Sequence, residues 1–548
     1  MFSAYQVEVP AGATLTVEKY ATVFTGRDKD AKEMTLEELQ NHALDMLKKD
    51  MADGFACLAE ESAAAWEEKV WKRAPISIQG SPEDELMIHY AQYQMQIMVP
   101  AHDNRMNIGA KGFSGEGYKG HTFWDTEIFL LPYYIFTMPE VARSLEEYRY
   151  LSLPGAHAKA KGNGYEGAQY PWESAWLDDG EVTPKYMGTD IVTGELIRVW
   201  TGDIEIHISA DVAFGAWQYY QCTGDEEFME KYGYEVIMDT AKFWASRLEW
   251  EPEDGRYHIR DVVGPDEYKE HVDDNAFTNY MAWWNIGKAL EYARSLKEEK
   301  PELYQALDKK LDLGQCESIW ADCLDRIYLP KPREDGVLPQ DSTYLTLEDI
   351  DLSKYKNQAH VGGIYQDYNQ EQITKIQVSK QADVMVLFYL LEDKFPHEVK
   401  VASWNYYEPR CLHDSSLSLS THSVLACDMG ETDRAYDLFR RACMIDLDNA
   451  NPHSSDAGIH AASYGGLWQC VVYGFGGLRM LNGKLRICPA LPDKWEQLQY
   501  TVLWKGQKLE VTVTKEEVTV VNQTKEKAVE AEILGQTYTI ADQVTVRR

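Results

Sequence analysis

Between about residues 76 and 477, apolar side chains recur at three- and four-residue spacing in one stretch after another. This is the period of a helix that buries one face. Ser81-Pro82-Glu83 reads as an N-cap with proline at the first helical position, and Leu86, Tyr90, Tyr93 and Ile97 read as the apolar stripe behind it. Further helices are predicted near 126–137, 207–222, 226–247, 275–298, 379–393, 416–429, 432–444 and 457–473. The loops between them, 101–124, 155–205, 251–274, 330–370 and 445–458, are long. Loops beyond about 15 residues are uncommon in compact domains unless they serve a function, so candidate chemistry is sought there.

Both ends of the chain break the helical period. Tyr5-Gln-Val-Glu-Val, a Pro-Ala-Gly turn and Thr14 to Phe24 predict two strands in residues 1–30. Two strands do not make a stable sheet, so they read as the edge of a β-sandwich whose other strands lie outside this chain. Residues 31–75 return to helical spacing, with Leu36, Leu39, Ala43, Leu44, Leu47, Trp66 and Val70, and predict a connector of two helices broken near Asp53-Gly54. From 478 to 548, Leu509 to Thr514 and Glu517 to Val521 alternate with period two, which predicts a small all-β domain. The fold class is mainly α: a helical body over 76–477 with a β domain at its end.

Charge narrows the partners. Lysine plus arginine number 54 and aspartate plus glutamate 89, a formal net charge of −35 over 548 residues. Such a field repels nucleic acid and anionic membranes, yet leaves room for one small anion held by local donors. Aromatics make up 12%, with 16 Trp and 34 Tyr, which suits flat ligands such as sugars as well as ordinary core packing. Nine scattered cysteines give neither a disulfide framework nor a zinc knuckle, and the fourteen histidines show no paired spacing with Cys or Glu on one helix face, so no metal is expected. The N-terminus does not read as a signal peptide and no apolar run reaches membrane-spanning length, so the expected compartment is the cytoplasm, and the acceptor-like Asn522-Gln523-Thr524 is set aside. No Gly-x-Ser-x-Gly elbow, P-loop or dinucleotide fingerprint is present.

Val262 to Trp284 is the stretch richest in chemistry, with Glu267, Glu270, His271, Asp273 and Asp274 between a hydrophobic run and a helix. Gly264-Pro265 marks a turn, and Asn275 or Thr278 caps the helix that follows. A carboxyl on such a loop, walled by Tyr268, Phe277 and Trp283, suits a general acid if burial raises its pKa. Its bland reading is a solvated acidic turn. Trp124 and Asp125, in the run Gly120 to Glu127, pair a ring with a carboxylate as sugar sites do, or else cap a helix over a core tryptophan. Lys380 and Gln381 at a helix start are placed to donate to ligand oxygens, or to water. Ser415 and Ser416 before one helix, and Gly458 and His460 before another, offer hydroxyls, a close backbone approach and an imidazole at two helix N-termini, where unpaired N–H groups favour anions. Ordinary serine caps are the alternative.

The ordered runs GHTFWDTEIFLLPY, GYEGAQYPWESA, DIEIHISADVAF, GPDEYKEHVDDNAFTNY, KQADV, HDSSLSLSTHS and DAGIHAASYGGLW, across residues 120 to 468, resemble family 65 of the glycoside hydrolases, the group of maltose, trehalose, kojibiose and nigerose phosphorylases. The resemblance implies an (α/α)6 barrel with its pocket at one end, preceded by a helical linker and a large β-sandwich, most of which is missing here. It implies Glu267 as the general acid and Trp124, Asp125, Lys380 and Gln381 as the grip on the glucosyl unit. It also implies Ser415, Ser416, Gly458 and His460 as the phosphate site, and Trp172, Glu173 and Glu205 as acceptor-side residues. Glu270, His271 and Asp273 then support the acid. The partners implied are an α-glucosyl disaccharide or glucoside and phosphate as co-substrate, with no cofactor and a homodimeric assembly.

An inverting glycosidase needs an acid and a base. Phosphate is already an anionic nucleophile, so one carboxylic acid facing a phosphate cradle suffices to turn an α-glucoside into β-glucose 1-phosphate and free acceptor. Two rivals stand beside this reading: an inverting hydrolase on the same fold, whose base would have to be Asp414, and a catalytically impaired sugar-binding protein.

Overall fold

The computed structural model describes residues 4–356, 358, 360–381 and 383–548. Met1 to Ser3, at the head of the expected strands, and Ala382, inside the Lys380 to Val384 run, lie outside them. The chain divides into two compact units, Met1–Arg73 and Ala74–Arg548.

In the first unit the expected strands are not paired into any sheet among the described residues. With no neighbouring strand to complete a ladder, the segment packs on a helix instead: Thr22 Oγ1 donates to Ala43 O at 3.0 Å and the Phe24 ring meets His42 edge-on at 4.6 Å. The helix Leu36–Trp66 starts at Thr35, whose hydroxyl and Glu38 form a reciprocal capping box. It breaks at Gly54 (φ 78°), the point where the sequence placed the interruption.

The second unit is the expected (α/α)6 barrel, with the small sheet domain at its C-terminal end. Its helices pack in sequence neighbours: Ala276–Glu299 lies against Tyr234–Arg247 and Leu313–Arg326, and Ser418–Asp428 against Thr432–Cys443. Pro139–Leu151, Leu153–Gly162, Pro301–Leu311, Leu313–Arg326 and His397–Tyr407 are additional helices that the sequence left between its clearer ones. The helix Pro82–Met98 forms where predicted but turns a different face inward. Leu86, Tyr93 and Ile97 are exposed, and Ile88, Ala91, Met95 and Met98 are buried. The polar end of that face decides the rotation. Asp84 is fully buried and accepts from Trp495 Nε1 (2.7 Å), Tyr436 Oη (2.9 Å) and Arg440 Nη1 (2.6 Å).

The sheet domain stacks a five-stranded sheet on a four-stranded one. Gln507–Thr514 alternates buried and half-buried side chains with period two, as expected. The edge strand of the larger sheet is Ile76–Gln79, antiparallel to Gln497–Trp504, so the residues before the first barrel helix belong to the sheet. Among the described residues no helix is long and apolar enough to cross a membrane.

Candidate active site

The acid-bearing loop is closed at its base and pinned from inside. Val262 and Val272 exchange two backbone hydrogen bonds (2.9 and 3.0 Å), so the residues between them form one protruding turn. Gly264 has no alternative there, because a Cβ would collide with Asp383 and Asn275. Asn275 is the cap of the next helix, its Oδ1 accepting from Thr278 N at 2.9 Å. Asp266 and Lys269 point into the protein. Asp266 accepts from Lys380 N (2.8 Å) and Gln340 Nε2 (2.9 Å), while Lys269 Nζ donates to the carbonyls of Ile373 and Ile376, both at 2.7 Å. Burial pushes the Asp266 carboxyl up to about 7 against the pull of Lys269, and the buried Lys269 ammonium down to about 8.

With 266 and 269 turned inward, Glu267 and Glu270 face a cavity of about 430 Å³, lined also by Tyr268, Lys380, Asp414, Tyr365 and the segment Met187 to Thr201. Lys380 Nζ donates to Glu267 Oε1 at 2.6 Å. Burial works against that ammonium, but the charge and hydrogen bond of Glu267 outweigh it and raise its pKa. Glu270 was expected only to support the acid; it stands in the cavity wall, and burial, then repulsion from Glu267, pushes its pKa up to about 7. His271 and Asp273 do lie to the side: His271 Nδ1 faces Asp261 Oδ1 (2.6 Å), and Asp273 Oδ1 accepts from Asp261 N (3.0 Å).

Other predicted residues lie on neighbouring segments. Thr122 and Ser174 pair their backbones (2.9 Å each way), which brings the 120–127 and 170–174 segments together. Arg149, fully buried, forks onto Glu127 (2.5 and 2.9 Å) and reaches Phe123 O (2.8 Å) to hold the first of them. Asp125 lies close enough to Glu267 and Lys111 to feel both charges, and burial, then Glu127, pushes it up to about 7. Trp124 is only 2% exposed, packed against Phe129, His207 and Phe277, so no open ring face remains for a sugar to stack on. Gln381 is likewise occupied, its amide donating to Pro265 O at 2.8 Å and bracing the acid loop.

Trp172 is buried against Phe123 and His207, and Glu173 accepts from His121 Nδ1 at 2.7 Å. Glu205 is fully buried; its Oε1 accepts from His207 Nε2 at 3.2 Å, and burial raises its pKa to about 8 against that bond. Besides His207, its neighbours in charge are Glu267 and Lys380.

The residues expected on the anion side come from three segments. Residues 379–380 and 410–414 run side by side, through Leu412 N to Ser379 O (3.0 Å) and Asp414 N to Lys380 O (3.1 Å), so Ser415 and Ser416 follow directly on the cavity wall. They form the turn before the helix Ser418–Asp428, and Ser415 Oγ accepts from Leu417 N at 3.3 Å. His460 is the cap residue of the helix Ala461–Gln469. Its Nδ1 faces Asp446 Oδ1 at 2.9 Å, so Nδ1 carries the proton and Nε2 accepts from Lys111 Nζ at 2.8 Å. Gly458 (φ 116°) presses on the 114–115 backbone, where a Cβ would sit 2.9 Å from Ser114 Oγ, so its absent side chain is required by packing as well. His453 joins the two helix starts: Nε2 donates to His413 O at 2.9 Å, and burial followed by repulsion from His460 holds its pKa down at about 4.

Three features of this neighbourhood are not read from the sequence. Lys111 is buried in a glycine-rich loop, its pKa lowered by burial against the attraction of Asp446 and Asp125. Tyr118, in a left-handed backbone conformation (φ 54°), feels the charges of Lys380, Glu267, Asp125 and Glu173. The hairpin Tyr186–Thr189 with Leu196–Arg198 walls the cavity where only a long loop was expected. Its one sequence signal is the Asp190 to Gly194 turn.

Comparison with known proteins agrees with this geometry. The family description "Glycosyl hydrolase family 65 central catalytic domain" matches residues 89–469, the C-terminal domain of that family 478–540, and its N-terminal domain 1–69. A kojibiose phosphorylase of Halothermothrix orenii is 45% identical over 95% of this chain and 66% of its own length. A 1,2-alpha-glucosylglycerol phosphorylase of Bacillus selenitireducens is 36% identical over 95% and 68%. The chain thus spans about two thirds of the length of such relatives. A solved structure described as a putative kojibiose phosphorylase from human microbiome superposes with a TM-score of 0.83 at 28% identity, over 95% of this chain and 69% of that one. The chain belongs to glycoside hydrolase family 65.

Proposed function

We propose that this chain carries out inverting phosphorolysis of an α-linked glucosyl disaccharide or glucoside, giving β-glucose 1-phosphate and the free acceptor. The observation that carries the reading is one carboxyl, Glu267, lining the cavity, with the buried Asp125 close enough to feel both it and Lys111, and Lys111 bonded in turn to His460. A phosphate oxygen attacks C1 from the face opposite the acceptor, the C1–O bond to the acceptor breaks, and Glu267 delivers its proton to the departing oxygen. The proton shed by the attacking hydrogen phosphate as the ester forms returns to the carboxylate through water. Lys380 keeps Glu267 in place and has further N–H groups for sugar hydroxyls, while Asp125 accepts from the sugar. On the anion side Lys111 is the charged donor, since its bond to His460 uses one of three protons. This site calls on no organic cofactor.

A hydrolase would need a base on the sugar face opposite the acid. Glu270 lies on the acid's own loop, and Asp414 accepts the Tyr268 hydroxyl at 2.6 Å, so neither supports that reading. The names of the relatives make kojibiose the first sugar to try. Acceptor release from kojibiose, nigerose, trehalose and maltose, with and without phosphate, tests the proposal. Release that requires phosphate on at least one of them supports it, and equal release without phosphate defeats it.

A further inference from the structure

Immediately upstream of the Asp414–Ser416 wall lies a buried cluster that the reaction does not use: Cys411, His413 and His422, at 1%, 6% and 1% exposure. Cys411 Sγ and one ring nitrogen from each histidine all lie within 4.8 Å of one another. The sulfur is 3.7 Å from His413 Nδ1 and 3.5 Å from Ser418 Oγ, and that hydroxyl is 2.9 Å from the same nitrogen. A tetrahedral zinc ion, with bonds of about 2.3 Å to sulfur and about 2.0–2.1 Å to nitrogen, sets its ligand atoms roughly 3.3–3.6 Å apart. The two distances from the sulfur are close to that scale.

The outer atoms point the same way. Glu408 presents one carboxylate oxygen to each imidazole. Oε2 accepts from His422 Nδ1 in a short bond, and Oε1 lies 3.6 Å from His413 Nε2. Arg434 fixes that carboxylate from outside, donating to Oε1 at 2.6 Å. Metal-bound histidines are oriented by just such a carboxylate on the far ring nitrogen. With Nδ1 of His422 committed to Glu408, its Nε2 is buried without a hydrogen-bond partner, a costly state unless something fills it. The backbone shows a further constraint: His413 is held at φ 55°, a left-handed conformation that a non-glycine residue adopts only when its surroundings impose it.

We propose that Cys411 Sγ, His413 Nδ1 and His422 Nε2 bind a structural zinc ion, with the Ser418 hydroxyl or a water as fourth ligand and Glu408 orienting both imidazoles. Binding releases the thiol proton to solvent, so the site holds a thiolate and two neutral histidines. Its place in the fold gives the ion a purpose. Cys411 lies beside Ser379 and His413 precedes Asp414, so the ion locks the strip that carries the cavity wall and the Ser415-Ser416 turn.

Metal content tests this without any turnover, so it stands or falls separately from phosphorolysis. The whole chain, purified without chelator or metal-affinity tag, should retain zinc in stoichiometric amount. After chelation it should take up cobalt(II) with a thiolate charge-transfer band in the near ultraviolet. X-ray absorption at the zinc edge of the wild-type protein should show one sulfur among nitrogen and oxygen neighbours. Cys411→Ser and His422→Gln, each checked by circular dichroism, should lose the ion. A chain that binds neither metal stoichiometrically, a zinc shell without sulfur, or folded variants that keep full uptake would overturn the site. If the variants fail to fold, the wild-type absorption spectrum decides.

Discussion

The acid loop, which lines the cavity, and the proposed anion site are built in opposite ways. The acid wall is one continuous loop, closed at Val262 and Val272 and pinned by two of its own side chains, Asp266 and Lys269, while two others, Glu267 and Glu270, face the cavity. The proposed anion site has no such unity: Lys111, the Ser415-Ser416 turn and His460 arrive from three distant segments, and hydrogen bonds from Lys111 and His453 join them. A proton donor must hold one position, which a loop closed and pinned by its own residues supplies. An anion needs several donors converging from different directions, and separate segments supply those more readily than one loop does.

Breaking the acid wall should have the largest effect. Glu267→Gln removes the proton donor and should lower turnover about 10²- to 10⁴-fold, with sugar binding by calorimetry and the melting temperature close to wild type. Lys111→Met attacks the proposed anion site. Losing a charged donor worth about 1.5–3 kcal/mol should raise the KM for phosphate roughly 10- to 100-fold and leave the KM for sugar nearly unchanged. Comparable rises in both constants would mean that Lys111 does not belong to the anion side.

Gly458→Ala tests the packing beneath that site. A side chain at φ 116°, 2.9 Å from Ser114 Oγ, should cost about 1–3 kcal/mol of stability, read by denaturant unfolding. The smallest effect sharpens the acid wall. The Glu270 pKa is raised from 4.5 to about 7, so the folded state binds its proton more tightly than the unfolded state does. That contribution is complete below pH 4.5 and is lost as pH rises through 7. Glu270→Gln should therefore melt like wild type near pH 4.5 and above it at pH 8. A difference independent of pH would contradict the burial of this carboxyl.

What the sequence showed follows from the same contrast. The acid loop was legible because its determinants are neighbours: the Gly264-Pro265 turn, the Asn275 cap and the spacing of Phe277, Met281 and Trp284. Lys111 carried no local signal, since its partner His460 is brought to it only by the folded barrel. The stripe on Pro82–Met98 was misread because Leu86, Tyr93 and Ile97 offer stronger hydrophobic contrast than Ile88, Ala91, Met95 and Met98, and only the buried Asp84 settles the rotation. Trp124 reads in the sequence either as a sugar-facing ring beside Asp125 or as a core tryptophan, and in the fold its ring is packed in the core. The Cys411–His413–His422 cluster was missed because its members are brought together by a turn and a helix, not by spacing along one helix face.

The central claim is that one acid works opposite a bound phosphate. The configuration of the first product at C1 reports on the acid and the anion site at once. Proton NMR during the opening minutes of kojibiose cleavage in phosphate buffer should show the anomeric signal of β-glucose 1-phosphate growing with the freed acceptor. An α-configured ester, or glucose released at the same rate without phosphate, would contradict it.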